Sequence, residues 1–123
     1  MNNFPSRETI AHAIATDGYI IIENVLSADF IAKCKAELAE AITKETEYHK
    51  GQSYQDYAMV LICSLYGGSF LDLFDNSKIT EPFNAVLGDG CTVYAYTSSS
   101  MPPQSSNYSN RVHVDCPRII GLS

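Results

Sequence analysis

Val112-His113-Val114-Asp115 sets a histidine and a carboxylate two residues apart in a chain of 123 residues. In a β-strand, residues i and i+2 project from the same face, so this pair could offer two adjacent ligands to one small ion. A non-haem iron(II) centre uses such a pair. Two histidines and one carboxylate fill one octahedral face and leave three positions for an α-keto acid and O2. With three histidines and seven aspartates, the triplet arises by chance about 0.17 times in a chain of this size. A surface histidine beside a solvated aspartate is the competing reading, and the surrounding sequence has to choose between them.

Three further side chains could serve such a centre. Tyr94 and Tyr96 share one face if their segment is a strand, either as the wall of a cosubstrate pocket or as core packing. Arg118 could meet a carboxylate of substrate or cosubstrate, or a surface ion-pair partner. His12 points away from Ile10 and Ile14, and His49 sits at a helix end where a cation complements the dipole; both read as surface histidines. Cys34, Cys63, Cys91 and Cys116 lack the close spacing of zinc sites and are expected as reduced structural thiols.

The elements that must position these residues follow from caps and periodicity. Ser6 is expected to cap a first helix with Ile10, Ala13 and Ile14 on one face, ending at Asp17-Gly18. Residues 19–25 read as a strand, and consecutive Ile20, Ile21 and Ile22 suggest burial on both faces. Ser27 caps a longer helix in which Leu26 packs on Ile31, and Ile31, Cys34, Leu38, Ala41 and Ile42 form the core-facing stripe. Residues 50–55 form a polar loop, 57–66 an apolar run assigned to helix, and Gly67-Gly68 a break. Residues 70–74 make a short helical turn, and Thr80 caps a helix with Pro82 in its first turn that ends at Gly88. Val93 and Ala95 alternate with Tyr94 and Tyr96 over 91–97 as in a strand, and 98–110 follow as a polar loop.

An apolar fraction of 46% with 18% charged residues excludes a disordered or fibrous chain. Without repeats or a linker, the chain is treated as one domain, with 1–90 as mainly helical support and 91–123 carrying the metal strand. A net charge of −6 with no basic stripe argues against nucleic acid and anionic membranes. No apolar run approaches the ~20 residues that span a bilayer. A soluble, cytoplasmic protein is expected.

The segment Asp17-Gly18-Tyr19-Ile20-Ile21-Ile22-Glu23-Asn24-Val25-Leu26-Ser27 resembles the opening of the phytanoyl-CoA dioxygenase family. Asn107-Tyr108-Ser109-Asn110-Arg111-Val112-His113-Val114-Asp115-Cys116-Pro117-Arg118 resembles that family's metal strand with its trailing Pro-Arg. The two stand in the family's order, and the resemblance runs over essentially the whole chain. It implies an α+β fold in which N-terminal helices support an incomplete double-stranded β-helix, a cupin-like jelly-roll sheet. It further implies His113 and Asp115 as iron(II) ligands and 2-oxoglutarate as cosubstrate, with Tyr94, Tyr96 and Arg118 as candidate neighbours. The implied reaction hydroxylates a small organic substrate while 2-oxoglutarate becomes succinate and CO2. Asp115, where halogenating relatives carry a small residue, favours hydroxylation.

The family pattern also requires a second histidine and a carboxylate-pairing arginine further on, together with about eight strands. No histidine follows Asp115. The sequence therefore reads as a truncated frame or fragment, expected to be inactive alone and to form a homo-oligomer that covers the incomplete sheet. The alternatives are a catalytically dead remnant and a small α+β binding module whose His-x-Asp pair is accidental. No cationic patch suggests an acyl-CoA.

Overall fold

Two serine caps start the helical frame. In the computed structural model, which describes residues 4–50 and 58–100, Ser6 Oγ accepts the amide of Thr9 at 3.2 Å and begins α1 (Arg7–Asp17). That helix ends at Gly18, whose left-handed backbone (φ 81°) suits glycine. Ser27 accepts the amide of Phe30 at 3.2 Å and begins α2 (Ala28–Tyr48). A 3₁₀ turn at Cys63–Tyr66 leads into α3 (Gly68–Asp75) and α4 (Ser77–Leu87). The cap of α4 is Asn76 rather than Thr80: its Oδ1 accepts the Lys78 amide at 3.0 Å, so the helix starts earlier and Pro82 lies inside it.

Packing follows the apolar faces. α1 lies along α4, and α3 packs against α2, α4 and the 3₁₀ turn. Ile10 is buried, with Ala13 and Ile14 half-buried beside it on the same helix. Arg7 ties the α1–α4 seam from outside, pairing with Glu81 and, at 2.8 Å, with Asp89. Exposed pairs of this kind contribute little to stability. The core gathers Ala41, Val60, Cys63 and Phe70, with Leu38, Ile42, Tyr66 and Tyr96 packed against it. No helix among the described residues is long and apolar enough to cross a membrane.

The expected α+β jelly-roll is corrected by this architecture. Among the described residues there are four α-helices and no strand or sheet. A strand exists only when a second one satisfies its amides and carbonyls, and among the described residues the segments 19–25 and 91–97 find no such partner strand. In 19–25, Ile21 is 77% exposed while Ile20 and Ile22 are half-buried, so burial is one-sided; Asn24 then turns the chain through a left-handed φ of 57°. In 91–97 and its continuation, the ladder pairing among the described residues is an isolated antiparallel bridge. Val60 and Ser98 exchange bonds of 2.8 and 2.9 Å, and Cys63 N donates to Tyr96 O at 2.9 Å. That bridge also corrects the helix assigned to 57–66, of whose described residues only Cys63–Tyr66 turn helically. The expected metal strand at 112–115, the loop over 101–110 and residues 51–57 lie outside the described residues.

The seam between α2 and α3 depends on a carboxylate. Glu37 Oε2 accepts the Ser69 amide at 2.6 Å, and Lys33 reaches across to Asp72 at 2.9 Å. Gly68 has φ 51°, and a Cβ there would stand 2.6 Å from Glu37 Oε2. Gly68→Ala should therefore cost about 1–2 kcal/mol in backbone strain alone, with displacement of the Glu37 carboxylate added; urea unfolding measures it. The nearby Ser69 hydroxyl and the bond from the Ser69 amide hold the Glu37 pKa below its ordinary 4.5. The stabilisation is then complete above 4.5 and is lost as the pH falls through the lowered folded value. Glu37→Gln should flatten the unfolding midpoint in that acid range, and parallel profiles for the two proteins would exclude Glu37 as the acid-sensitive group.

Candidate functional site

His113, Asp115 and Arg118 lie outside the described residues, so the geometry available is that of Tyr94, Tyr96 and their surroundings. Tyr96 is half-buried, its ring 4.5 Å from that of Phe74 and 6.4 Å from that of Phe70 between centroids, both edge-on. Burial, then the nearby Cys63 and Cys34 thiols, push its phenol pKa up. Tyr94 is 92% exposed. The two rings line an open hollow of about 540 Å³ shared with Leu61, Ile62, Phe74 and Val93. Behind Tyr96 a second, more apolar groove of about 350 Å³ runs between α2 and α3, lined by Leu26, Ile31, Cys34, Leu38 and Leu73. Tyr96 is the wall between the two spaces. Leu26 and Ile31, expected as a staple at the start of α2, both face this groove.

The described residues contain another set of titratable groups, at the far end of α2. His49 Nε2 lies 3.1 Å from Glu45 Oε2, and the Tyr66 hydroxyl donates to Glu45 Oε1 at 2.9 Å. Both Glu45 and His49 are only 8% exposed. The reading of His49 as a surface residue is corrected accordingly, while His12 is exposed as expected. Tyr48 meets the His49 ring edge-on at 4.8 Å, and Lys44 Nζ stands 6.0 Å from the Tyr66 ring centroid. This network was legible in one respect: Glu45 and His49 extend the stripe of Leu38 and Ala41 at helical spacing, so they had to point inward. What the sequence lacked was a reason to bring Tyr66 to the same place.

Neither cluster forms a metal centre. Among the described residues, no group of three or more His, Cys, Asp or Glu is arranged to hold an ion. His49 is engaged with Glu45, and His12 sits on the outside of α1. Cys34, Cys63 and Cys91 are free thiols, with burial pushing the Cys63 thiol pKa up. No family model, curated protein or solved structure matches this chain.

The buried carboxylate generates a prediction. Burial, then the bond to Glu45, push the Tyr66 pKa up to about 12 from an ordinary 10.0. Its contribution is present below pH 10.0 and is lost as the pH rises through about 12. Spectroscopic titration should show a tyrosine that ionises late, and Tyr66→Phe should remove it. The same substitution deprives Glu45 of a donor and should destabilise the fold by about 1–3 kcal/mol, read from urea unfolding. An unchanged midpoint would mean that water replaces the phenol.

Proposed function

We propose that this chain is a cytoplasmic polypeptide of the iron(II), 2-oxoglutarate-dependent oxygenase class that serves hydroxylation of a small organic substrate, with His113 and Asp115 as iron ligands. The observation that carries this reading is the His-x-Asp spacing, placed after an opening segment of phytanoyl-CoA dioxygenase type. Of the helix–strand–helix opening that the resemblance implies, the two helices α1 and α2 are present in order and the strand between them is not. Tyr96 and Arg118 remain candidates for contact with 2-oxoglutarate, with Tyr94 at the rim of the hollow beside Tyr96.

The described residues do not complete a three-ligand iron face, so no step of the reaction is assigned to them. Self-association belongs to the same proposal. Val93, Tyr94, Leu61 and Ile62 are exposed around one hollow, with Leu65 exposed nearby, and contiguous exposed apolar surface is where self-association would act.

Anaerobic titration with iron(II), with and without 2-oxoglutarate, tests the ligand assignment. With two of the three ligands, iron(II) should bind weakly and raise the thermal midpoint only at high concentration by linkage, and His113→Ala and Asp115→Ala should each weaken that binding by about tenfold or more. Binding that is indifferent to both substitutions, or absent altogether, would overturn the assignment.

A further inference from the structure

We propose that residues 93–97 form the edge on which a second copy of this chain docks, antiparallel and two-fold symmetric about Ala95. The inference gives the self-association reading its surface, and it stands or falls independently of the iron ligands. Val60 and Ser98 exchange both of their backbone bonds, and Cys63 N reaches Tyr96 O, so residues 96 and 98 direct their main-chain groups toward 60–63. Successive residues of an extended chain direct these groups to opposite sides. Residues 91–97 contain no turn or bend, so on this alternation Val93, Ala95 and Thr97 turn theirs outward, and among the described residues no hydrogen bond reaches their main chain.

Charge and shape select a second copy as the occupant. From Gly90 to Asn110 the sequence contains no Lys, Arg, Asp or Glu, although the chain as a whole carries −6. Two acidic molecules can approach along this stretch without bringing like charges together. Pairing Ala95 with its own symmetry mate sets Val93 against the mate's Thr97 and exchanges about six backbone bonds. It also sets Tyr94 against the mate's Tyr96, on one face. Tyr94 is the exposed ring, and Tyr96 with Phe74 walls the hollow. Each copy thus offers a ring to the other's hollow, a reciprocity that a two-fold axis supplies and an unrelated strand would not. Ala95 on the axis keeps the closest approach free of bulk.

Sedimentation of the full chain across micromolar concentrations tests the interface, together with hydrogen exchange on the same samples. A monomer–dimer equilibrium is expected, with the amides of Val93, Ala95 and Thr97 protected at high concentration and released on dilution. Ala95→Lys places like charges directly opposite each other and should raise the dimer dissociation constant by about tenfold or more. Tyr94→Ser, at a site too exposed to disturb folding, should weaken the dimer as well. If Ala95→Lys loses its helical circular dichroism, Tyr94→Ser and the exchange pattern decide. A chain that is monomeric throughout overturns the proposal. So does a dimer that leaves those amides unprotected and is unaffected by Tyr94→Ser.

Discussion

Two carboxylates of α2 hold the chain on either side of Gly67-Gly68. Glu37 accepts the amide of Ser69 just after the pair, and Glu45 accepts the hydroxyl of Tyr66 just before it. Eight helical positions separate them, roughly 12 Å along the axis, so the 3₁₀ turn and α3 are staked to one face of one helix at two points. The glycines make this possible, because both adopt positive φ and a side chain at Gly68 would collide with the carboxylate that secures the turn. Most of the rest follows from that attachment. Phe70, one residue beyond Ser69, is delivered into the core, and Tyr96 is held by Phe70 and Phe74. α3 then carries α4, and α4 carries α1.

The same helix face shows how a polar residue becomes a core residue. Glu37, Ala41, Glu45 and His49 follow one another at intervals of four along α2, and every one of them is buried or half-buried. Enclosing a carboxylate is tolerable only when donors replace its lost water. Ser69 supplies one for Glu37; Tyr66 supplies one for Glu45, which also faces His49. These contacts specify how the 3₁₀ turn and α3 sit on α2 more sharply than apolar packing could, because a hydrogen bond depends on direction as well as distance. The resulting frame leaves Tyr96 between two open spaces, and it is there that the described structure meets the functional reading. The residues given to iron lie outside it.

Much of the helical frame was legible from local chemistry. Ser6 and Ser27 act as caps, Gly18 and Gly88 end their helices, and the stripe from Leu38 to Ile42 faces the core. These features depend on residues within a few positions of one another, so tertiary context has little opportunity to overrule them. The Thr80 cap failed for a related reason: Asn76 offers a competing side-chain acceptor earlier in the chain and captures the helix start. His49 was misplaced because its nearness to the helix end outweighed its position on the inward stripe.

Sequence by itself determined where most of the helices begin and end and which faces of α2 and α1 are apolar. It also set the His-x-Asp spacing on which the iron reading depends. Tertiary structure decided whether strand-like segments become strands. Residues 19–25 and 91–97 have the composition of strands, but a sheet is a property of two segments, and among the described residues the main chain offered to the second is the short stretch from Val60 to Cys63. It also decided that Tyr66 meets Glu45 and that Ser69 meets Glu37, pairs 21 and 32 residues apart. Local propensity has no term for such contacts, because their energy arises only after the chain has closed on itself.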